Sequence, residues 1–526
     1  MRLPEGPPAH KPIFYVDVES GDDHNSGTHE KAAWKSLEKV NSTIFSPGSR
    51  ILFKSGQNWT GQLAPKGSGK SGNPIVIDQY GDGNLPKIAG RGVTATLVLN
   101  NQQYWEINNL EITNYNPEEE GGISLEQWEA KNRSDYAEAL LPAKARKDNS
   151  AKLGIQIKAD DIGPVRHIHL KNLLVHGVNG TIVPDGADEN GASKNNGGIG
   201  FEISGMEIPT WFEDILVEGC TIRDVDRTGL FNRSSWADRT LLKNTNWVPS
   251  KSMVIRRNIF QRTGANALIV RVAHRPLIEH NLFDYCAIKG SGNAAFSFNT
   301  DDAVWQYNEC RFTRANAGDN DAGGIDSDYR SKNTVIQYNW LHDNDFGMLV
   351  TGGGGSFNDG TVVRYNIIER DGKREHRDDR KKFVFKVSGG ATNTLIYNNT
   401  IYTDRTQDST FLVFHKRWSV WPEQTAYYNN LFINEDARAS VSLGESTLNT
   451  FENNLVSIHK TAELDNMQGG DAKVISTGAG PEAYKLKKGS AALGTGKYVP
   501  DNGGRDFFGN PAGKRPAVGA YAGKGL

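Results

Sequence analysis

The segment DAGGIDSDYR (321–330) places two carboxylates, Asp326 and Asp328, on either side of Ser327. Side chains at positions i and i+2 of a β-strand project from the same face, so these two are predicted to lie side by side. Like charges that close cost free energy unless a proton, a cation or a substrate offsets them. A glycosidase needs such a pair, because one carboxyl group protonates the leaving oxygen while the other acts as nucleophile or base.

A second acidic pair, Asp301 and Asp302, ends the preceding strand-like segment, AFSFNTD (295–301). We predict that either residue can replace one member of the first pair. Neighbouring parallel strands lie about 4.8 Å apart, and residues i and i+2 about 6.6 Å apart. Both the retaining separation of about 5–5.5 Å and the inverting separation of about 6.5–9.5 Å are therefore reachable. The sequence leaves the stereochemistry open.

The elements that would position these carboxylates are short strands with a recurring asparagine. Clear copies are VIRRNIF, LIEHNLF, VIQYNWL, VVRYNII, LIYNNTI and AYYNNLF, in which the asparagines are Asn258, Asn281, Asn339, Asn366, Asn399 and Asn430. The copies are rich in β-branched and aromatic residues, and Gly, Asn and Asp turns separate them. Amphipathic helices are missing between them, which argues against helical solenoids. The pattern predicts an all-β, right-handed parallel β-helix in which each asparagine occupies an αL turn and hydrogen-bonds its copy in the next coil.

The ends of the chain complete this architecture. Residues 1–66 are predicted to be an N-terminal segment and cap, 67–490 the β-helix, and 491–526 a tail packed on it. Long inserts at about 115–160 and 180–212 interrupt the early coils.

The chain resembles bacterial right-handed parallel β-helix enzymes that act on carbohydrates. The resemblance rests on YVDVESGDDHNSGTHEKAAWKSLEKVN (15–41), SPGSRILFKSGQNW (46–59), GNPIVIDQYGDG (72–83) and GGRDFFGNPAGKRPAVGAY (503–521). It implies a glycan as substrate. That superfamily contains both glycoside hydrolases and polysaccharide lyases, so the resemblance does not fix the reaction.

Strand alternation predicts which residues face a substrate. With Phe296 and Phe298 inward, Ser297 and Asn299 point outward beside the aspartates, and Thr351 follows in a later coil. The register of the last strand is ambiguous. The predicted substrate-binding residues are Arg233, Trp236, Arg271, His274, Asn299, Lys386, His415 and Trp418.

Three functions remain open at this stage. Hydrolysis by paired aspartates leads, because aspartates dominate the predicted outer face. A lyase would instead use Lys386, Arg271 or His274 as the base that removes a proton from a uronate, and only then is Ca²⁺ expected as a cofactor. A non-catalytic carbohydrate-binding β-helix is the third. The segment NTDDAV (299–304) resembles a polygalacturonase signature, but the later elements of that family are missing, so that assignment is rejected.

Composition excludes two further classes of protein, those that bind nucleic acid and those that span a membrane. The 60 Lys and Arg nearly balance the 62 Asp and Glu, so no basic surface for nucleic acid is expected. The chain has no apolar run long enough to span a membrane.

His167 and His169 share a strand face, but the sequence offers no third ligand, so no metal is assigned. MRLPEGPPAHKP lacks the apolar region of a signal peptide, which leaves open either a cytosolic protein or one whose leader has been removed. We expect the second, a secreted or periplasmic enzyme. Oligomeric state is not indicated.

Overall fold

The computed structural model describes residues 11–118, 151–180, 194–315, 321–373 and 382–526. Within these ranges the chain is almost entirely β-structure. Its one α-helix, α1 (Leu37–Ser42), is accompanied by short 3₁₀ helices at Glu30–Ala32, Ala462–Leu464 and Pro481–Tyr484. Ser36 caps α1 by accepting a hydrogen bond from the Lys39 amide.

The strands stack in parallel as three sheets that wind around one core, which confirms the predicted parallel β-helix. Sheet 1 consists of β6 (Ala95–Asn100), β9 (Leu153–Asp160), β12 (Gly197–Ser204), β15 (Thr228–Ser234), β20 (Leu268–His274), β23 (Ala295–Asp301), β26 (Ile325–Ser327), β30 (Met348–Thr351), β34 (Phe383–Ser388), β38 (Phe411–Lys416) and β41 (Ser440–Ser442).

Sheet 2 follows sheet 1 in each coil. It consists of β1 (Ile13–Val16), β2 (Arg50–Lys54), β4 (Ile75–Tyr80), β7 (Trp105–Asn108), β10 (Pro164–Lys171), β13 (Trp211–Glu218), β18 (Ser250–Arg256), β21 (Leu277–Glu279), β24 (Val304–Gln306), β28 (Val335–Gln337), β32 (Val362–Arg364), β36 (Leu395–Tyr397), β39 (Ala426–Tyr428) and β42 (Thr450–Glu452).

Sheet 3 closes each coil. It consists of β3 (Asn58–Thr60), β5 (Lys87–Ala89), β8 (Glu111–Asn114), β11 (Leu174–Val178), β14 (Thr221–Val225), β19 (Ile259–Thr263), β22 (Leu282–Asp284), β25 (Glu309–Arg311), β29 (Trp340–His342), β33 (Ile367–Glu369), β37 (Thr400–Thr403), β40 (Leu431–Asn434), β43 (Leu455–Ile458) and β44 (Gln468–Gly469).

Two small elements lie outside these stacks. A ladder of β27 (Ser331–Lys332), β31 (Asn358–Asp359) and β35 (Ala391–Thr392) connects sheets 1 and 2, which makes them one continuous surface. An antiparallel hairpin is formed by β16 (Ala237–Arg239) and β17 (Asn244–Trp247).

The recurring asparagines form a ladder through the core. In each coil, the backbone N–H and the Nδ2 of one asparagine donate to the Oδ1 of the next, as between Asn308 and Asn339 at 3.0 and 2.9 Å. The ladder runs through Asn258, Asn281, Asn308, Asn339, Asn366, Asn399, Asn430 and Asn454. Each amide therefore satisfies buried backbone groups of the neighbouring coil.

The predicted αL conformation of these asparagines is wrong by one position. The residue just before each asparagine has the positive φ, for example Tyr307 (55°), Tyr338 (58°) and Tyr365 (50°). The turn must already have been made before the asparagine side chain can point into the coil and reach its neighbour. Non-glycine αL residues cost free energy, which the stacked ladder offsets.

The chain ends pack on the solenoid. Leu37 and Val40 of α1 are part of the main core, yet β1 and β2, within the same predicted cap, already belong to sheet 2. At the other end, Val518 and Tyr521 pack against Leu431 of sheet 3.

The inserts are described only in part. β9 and β12 lie inside the ranges 115–160 and 180–212, and both are regular strands of sheet 1. Residues 119–150 and 181–193 lie outside the described residues. In the part of the chain that the structure describes, no helix is both long and apolar enough to cross a membrane.

Substituting one ladder residue should destabilise the whole solenoid. Asn339→Ala removes the acceptor of two Asn308 donors and the Nδ2 donor to the Trp305 carbonyl, 2.9 Å away. Because these groups are buried, we expect a loss on the order of 3 kcal/mol, measured by urea unfolding. The exposed Asn244→Ala serves as the control, with an expected change of about 0.5 kcal/mol or less. Equal losses in the two variants would contradict a stabilising ladder.

Candidate active site

The register of sheet 1 decides which residues reach its outer face. β23 pairs with β26 so that Phe296 lies beside Asp326 and Ser297 beside Ser327. Asp326 and Phe296 therefore share the outer face, and Ser297 is fully buried in the interior. The prediction that Ser297 faces outward is wrong. β23 carries apolar residues over much of its length, so alternation alone cannot decide which set is internal.

Phenylalanines of β23 cover the outer face of sheet 1 with a second apolar cluster. Phe296 packs there with Phe231 and Ile269 of the preceding coils, and Phe298 packs at its edge. The cluster lies directly beside the carboxylates, because Phe296 is the strand partner of Asp326. It limits the access of water to one side of them.

Three carboxylates meet at this point. Asp326 is only 4% exposed, and Asn293 Nδ2 donates to its Oδ2 over 3.0 Å. Its Oδ1 is buried with no hydrogen-bond partner among the described residues. Asp328 is half-buried and accepts from the Tyr329 amide at 2.8 Å, while its own amide donates to the Ser297 carbonyl. Asp321, also half-buried, interacts electrostatically with both.

Burial and mutual repulsion hold protons on this cluster. Burial, with the charges of Asp328 and Asp321, raises the pKa of Asp326 well above its usual value. Burial is also the main reason that the pKa of Asp328 rises to about 7, a shift that Asp321 increases and that Lys194 and Arg271 oppose. With a pKa of about 7, Asp328 is therefore divided between its protonated and ionised forms at neutral pH, which suits a group that takes part in acid–base catalysis.

Basic side chains surround the carboxylates. Lys386 lies in the same outward-facing row as Asp326. Leu349 is the strand partner of Asp326, and Lys386 is the strand partner of Leu349 on the following strand. Burial lowers the pKa of Lys386, against the opposing effect of Asp321 and the other carboxylates. Arg271 donates to Asn195 Oδ1 at 2.8 Å, and burial together with Arg227 and Arg233 lowers its pKa to about 10.

An aromatic wall borders Asp328. Phe298 contacts Tyr329 edge-on with ring centroids 4.7 Å apart, and Tyr329 contacts Trp418 at 6.0 Å. Trp418 is 49% exposed, so its indole is available to a ligand. Exposed aromatic faces beside polar groups are typical of ligand sites.

Asp301 and Asp302 are not part of the carboxylate cluster. Arg239 of the hairpin, with a fully buried side chain, donates from Nη1 to Asp301 Oδ1 at 2.8 Å. Asp302 lies near His274, with 3.8 Å between Oδ2 and Nδ1. Both aspartates come at least five residues after Phe296, so the strand carries them to the far edge of the sheet.

Three predicted substrate-binding residues are buried. Asn299 is 0% exposed, and its Nδ2 donates to the Ala237 carbonyl of the hairpin. His415 lies in the core, hydrogen-bonded to Ser446 Oγ and Tyr427 Oη, and burial lowers its pKa to about 4. Trp236 is only 8% exposed. None of the three is open to a ligand. On β38 the side chain that points outward is Phe414 rather than His415, and the hairpin covers Asn299.

The other predicted side chains stay accessible. The side chain of Arg233 is 48% exposed and donates from Nε to Glu202 Oε2 at 2.7 Å, and that of His274 is 38% exposed. Sequence reasoning missed Asp321, Asn293, Lys194, Asn195 and Tyr329. Of these only Asp321 had a visible signal, since it stands in the same acidic segment as Asp326 and Asp328.

Comparison with known proteins supports the resemblance to carbohydrate-active β-helix enzymes. The chain is 27% identical to a lacto-N-biosidase of Bifidobacterium longum subsp. longum, over 96% of its own length but only 36% of that protein. It therefore spans about a third of this curated relative. No protein-family model matches the chain.

Solved structures share the fold. A GH136 lacto-N-biosidase from Eubacterium ramulus superposes with a TM-score of 0.59 at 22% identity, over 82% of this chain and 68% of that one. XylC in complex with xylose gives 0.50 at 12% identity, over 97% and 98%. At these identities the structural likeness establishes the β-helix fold alone.

The cluster should make stability fall as pH rises. Asp328 has a pKa of about 7 in the folded protein and about 3.9 when unfolded. Between these values the folded state binds more protons, so the free energy of unfolding decreases from about pH 4 to pH 7. In Asp328→Asn the fall in Tm across this range should be smaller by about 2–4 °C. Asp302→Asn, the control, should keep the wild-type slope. An unchanged slope in Asp328→Asn would contradict the raised pKa.

Proposed function

We propose that this protein is a glycoside hydrolase that cleaves an oligosaccharide at the Asp321–Asp326–Asp328 cluster. The observation that carries the proposal is a group of carboxyls on an open face, two of them with raised pKa values, bordered by an aromatic wall. The name of the curated relative supports the same reaction class. As part of this proposal, the reaction takes place outside the cytoplasm.

Asp328 is proposed as the general acid. With a pKa of about 7 it holds a proton on a substantial fraction of molecules at neutral pH, and it can deliver that proton to the leaving glycosidic oxygen. Its half-buried position beside Tyr329 leaves it accessible to a bound sugar.

The partner carboxylate is either Asp326 or Asp321. Adjacency on one strand favours Asp326, about 6.6 Å from Asp328 by strand geometry. Exposure favours Asp321, because Asp326 is only 4% exposed and holds its proton tightly. A nucleophile or base must reach the sugar, so we assign this role to Asp321, which is less buried than Asp326. Asp326, whose Oδ2 accepts a hydrogen bond from Asn293, then lies beside this pair without taking part in the chemical step.

The basic and aromatic residues are proposed to bind the substrate. Trp418 offers a face on which a pyranose ring can stack, and Arg233, Arg271 and Lys386 can donate hydrogen bonds to hydroxyl or N-acetyl oxygens. Because the curated relative is a lacto-N-biosidase, we propose an oligosaccharide that ends in lacto-N-biose as the first substrate to test.

Elimination is the second candidate, and one observation favours it. Burial lowers the pKa of Lys386, so more of its amine is unprotonated and available as a base than in an ordinary lysine. Three carboxylates close to this lysine, however, would repel the uronate carboxylate that a lyase must bind. Hydrolysis is therefore preferred.

Activity of aspartate variants separates these roles. Asp328→Asn and Asp321→Asn should each lower kcat by about 10³-fold, because each removes a group that takes part in the chemical step. Asp326→Asn should retain more activity than either of these variants, because Asp326 takes no part in the proposed chemical step. Asp302→Asn is the control and should remain close to wild type. Reducing ends released from lacto-N-biose-terminated oligosaccharides provide the measurement.

Two outcomes would contradict the assignment. Near wild-type turnover in Asp328→Asn would remove the general acid. An unsaturated uronate product, detected by its ultraviolet absorbance on acidic glycans and abolished in Lys386→Gln, would indicate elimination instead.

A further inference from the structure

A cluster of histidine and carboxylate side chains lies on sheet 2, outside the candidate active site on sheet 1. It consists of Glu106 on β7, His167 and His169 on β10, and Asp214 on β13. Ligand atoms of Glu106, His167 and His169 all lie within 4.8 Å of one another. The four side chains thus belong to three successive coils.

The register of the strands explains why this arrangement could not be recognised from the sequence. His169 is the strand partner of Glu106, which lies more than 60 residues earlier in the chain. His167 and Asp214 both have positive φ, 57° and 62°, and the pairing of β10 with β13 skips both. The irregular positions of the two strands therefore lie side by side, and Asp214 contacts the imidazoles of both His167 and His169. The third ligand that was missing from the sequence is therefore supplied by a neighbouring coil.

The distances suit a small cation that prefers nitrogen and oxygen ligands. His167 Nε2 lies 3.3 Å from Glu106 Oε1, close to the edge of about 3.4 Å in a tetrahedron with bonds of about 2.1 Å. The two imidazole rings are 3.9 Å apart, close enough for a nitrogen of each to reach the same ion. A single divalent cation can use their lone pairs.

Asp214 provides the outer support that zinc-bound histidines usually have. Its Oδ2 lies 2.7 Å from His167 Nδ1, and its Oδ1 lies 3.0 Å from His169 Nε2. Such carboxylate contacts fix the orientation and tautomer of a metal-binding imidazole. Lys171 holds only the Oε2 of Glu106, at 2.8 Å, which leaves Oε1 directed at His167.

We propose that Glu106, His167 and His169 form a binding site for Zn²⁺, with Asp214 as the carboxylate that orients both histidines. Imidazole and carboxylate donors suit Zn²⁺, whereas Ca²⁺ and Mg²⁺ prefer oxygen ligands alone. The ion would tie β7 directly to β10 and, through Asp214, to β13. Its role is to stabilise the early coils, and it is independent of the proposed hydrolase activity.

Metal binding to the tag-free, full-length protein tests this site. After treatment with a chelator, Zn²⁺ should bind one to one in isothermal titration calorimetry. At about 100 times its Kd it should raise Tm by about 2–5 °C, and equal Ca²⁺ or Mg²⁺ should not. His169→Gln and Glu106→Gln should each weaken binding at least about 100-fold, and Asp214→Asn about 10–100-fold.

Two further variants guard against misfolding and non-specific binding. His176→Gln is the matched control, since His176 pairs with Glu111 between neighbouring strands at 2.9 Å but belongs to no cluster of three possible metal ligands among the described residues. Its Zn²⁺ affinity should equal that of the wild type. Lys171→Gln removes the cation that competes for Glu106 and should bind Zn²⁺ several-fold more tightly.

Three results would overturn the proposal. The first is the absence of stoichiometric Zn²⁺ binding to the wild type. The second is affinity that survives in both His169→Gln and Glu106→Gln, or that is lost in His176→Gln. The third is a rise in Tm with Ca²⁺ but not with Zn²⁺.

Discussion

The stacking of one coil on the next is the constraint on which the rest of this molecule depends. Each coil can satisfy its backbone groups and bury its apolar residues only against its two neighbours. The asparagine ladder enforces this stacking, because a displaced coil would leave a buried amide without its acceptor. Side chains at equal positions of successive coils are then forced to lie about 4.8 Å apart. Interior rows become apolar, and exterior rows become lines of closely spaced functional groups.

That spacing explains why charged groups gather in lines on the outside. In most lines the signs alternate and the charges neutralise one another. Arg370 donates to Asp343, and the hydrogen bonds of His342 with Asp343 and Glu309 raise the pKa of His342 to about 9 despite its burial. Such lines are structural, since each charge has its partner.

The carboxylate cluster departs from this rule. Asp326 faces Asp328 and Asp321, one of its buried oxygens has no hydrogen-bond partner among the described residues, and its pKa is raised. Asp371 also has a raised pKa, but it lies fully buried in the interior, where its Oδ1 accepts two hydrogen bonds from Asn344. A raised pKa therefore does not by itself identify a site. Exposure of neighbouring acids on an open face distinguishes the cluster, and groups held in an unfavourable state are expected where function requires them.

The sequence determined much of this protein by itself. The recurring asparagine and the β-prone segments around it specified a parallel β-helix, because a side-chain ladder needs the same residue type at the same place in each coil. The spacing of Asp326 and Asp328 placed both on one face, since alternation within a strand is a local property. Arg271 and Lys386 were found in the same way.

Only the tertiary structure decided the rest. It turned Phe296 rather than Ser297 outward and buried His415, because strands with apolar residues on both faces take their register from their neighbours. It separated Asp301 and Asp302 from the cluster and added Asp321. It also brought Glu106 and Asp214 to His167 and His169. Contacts between coils join residues more than 20 positions apart, and no local pattern in the sequence encodes which of them will meet.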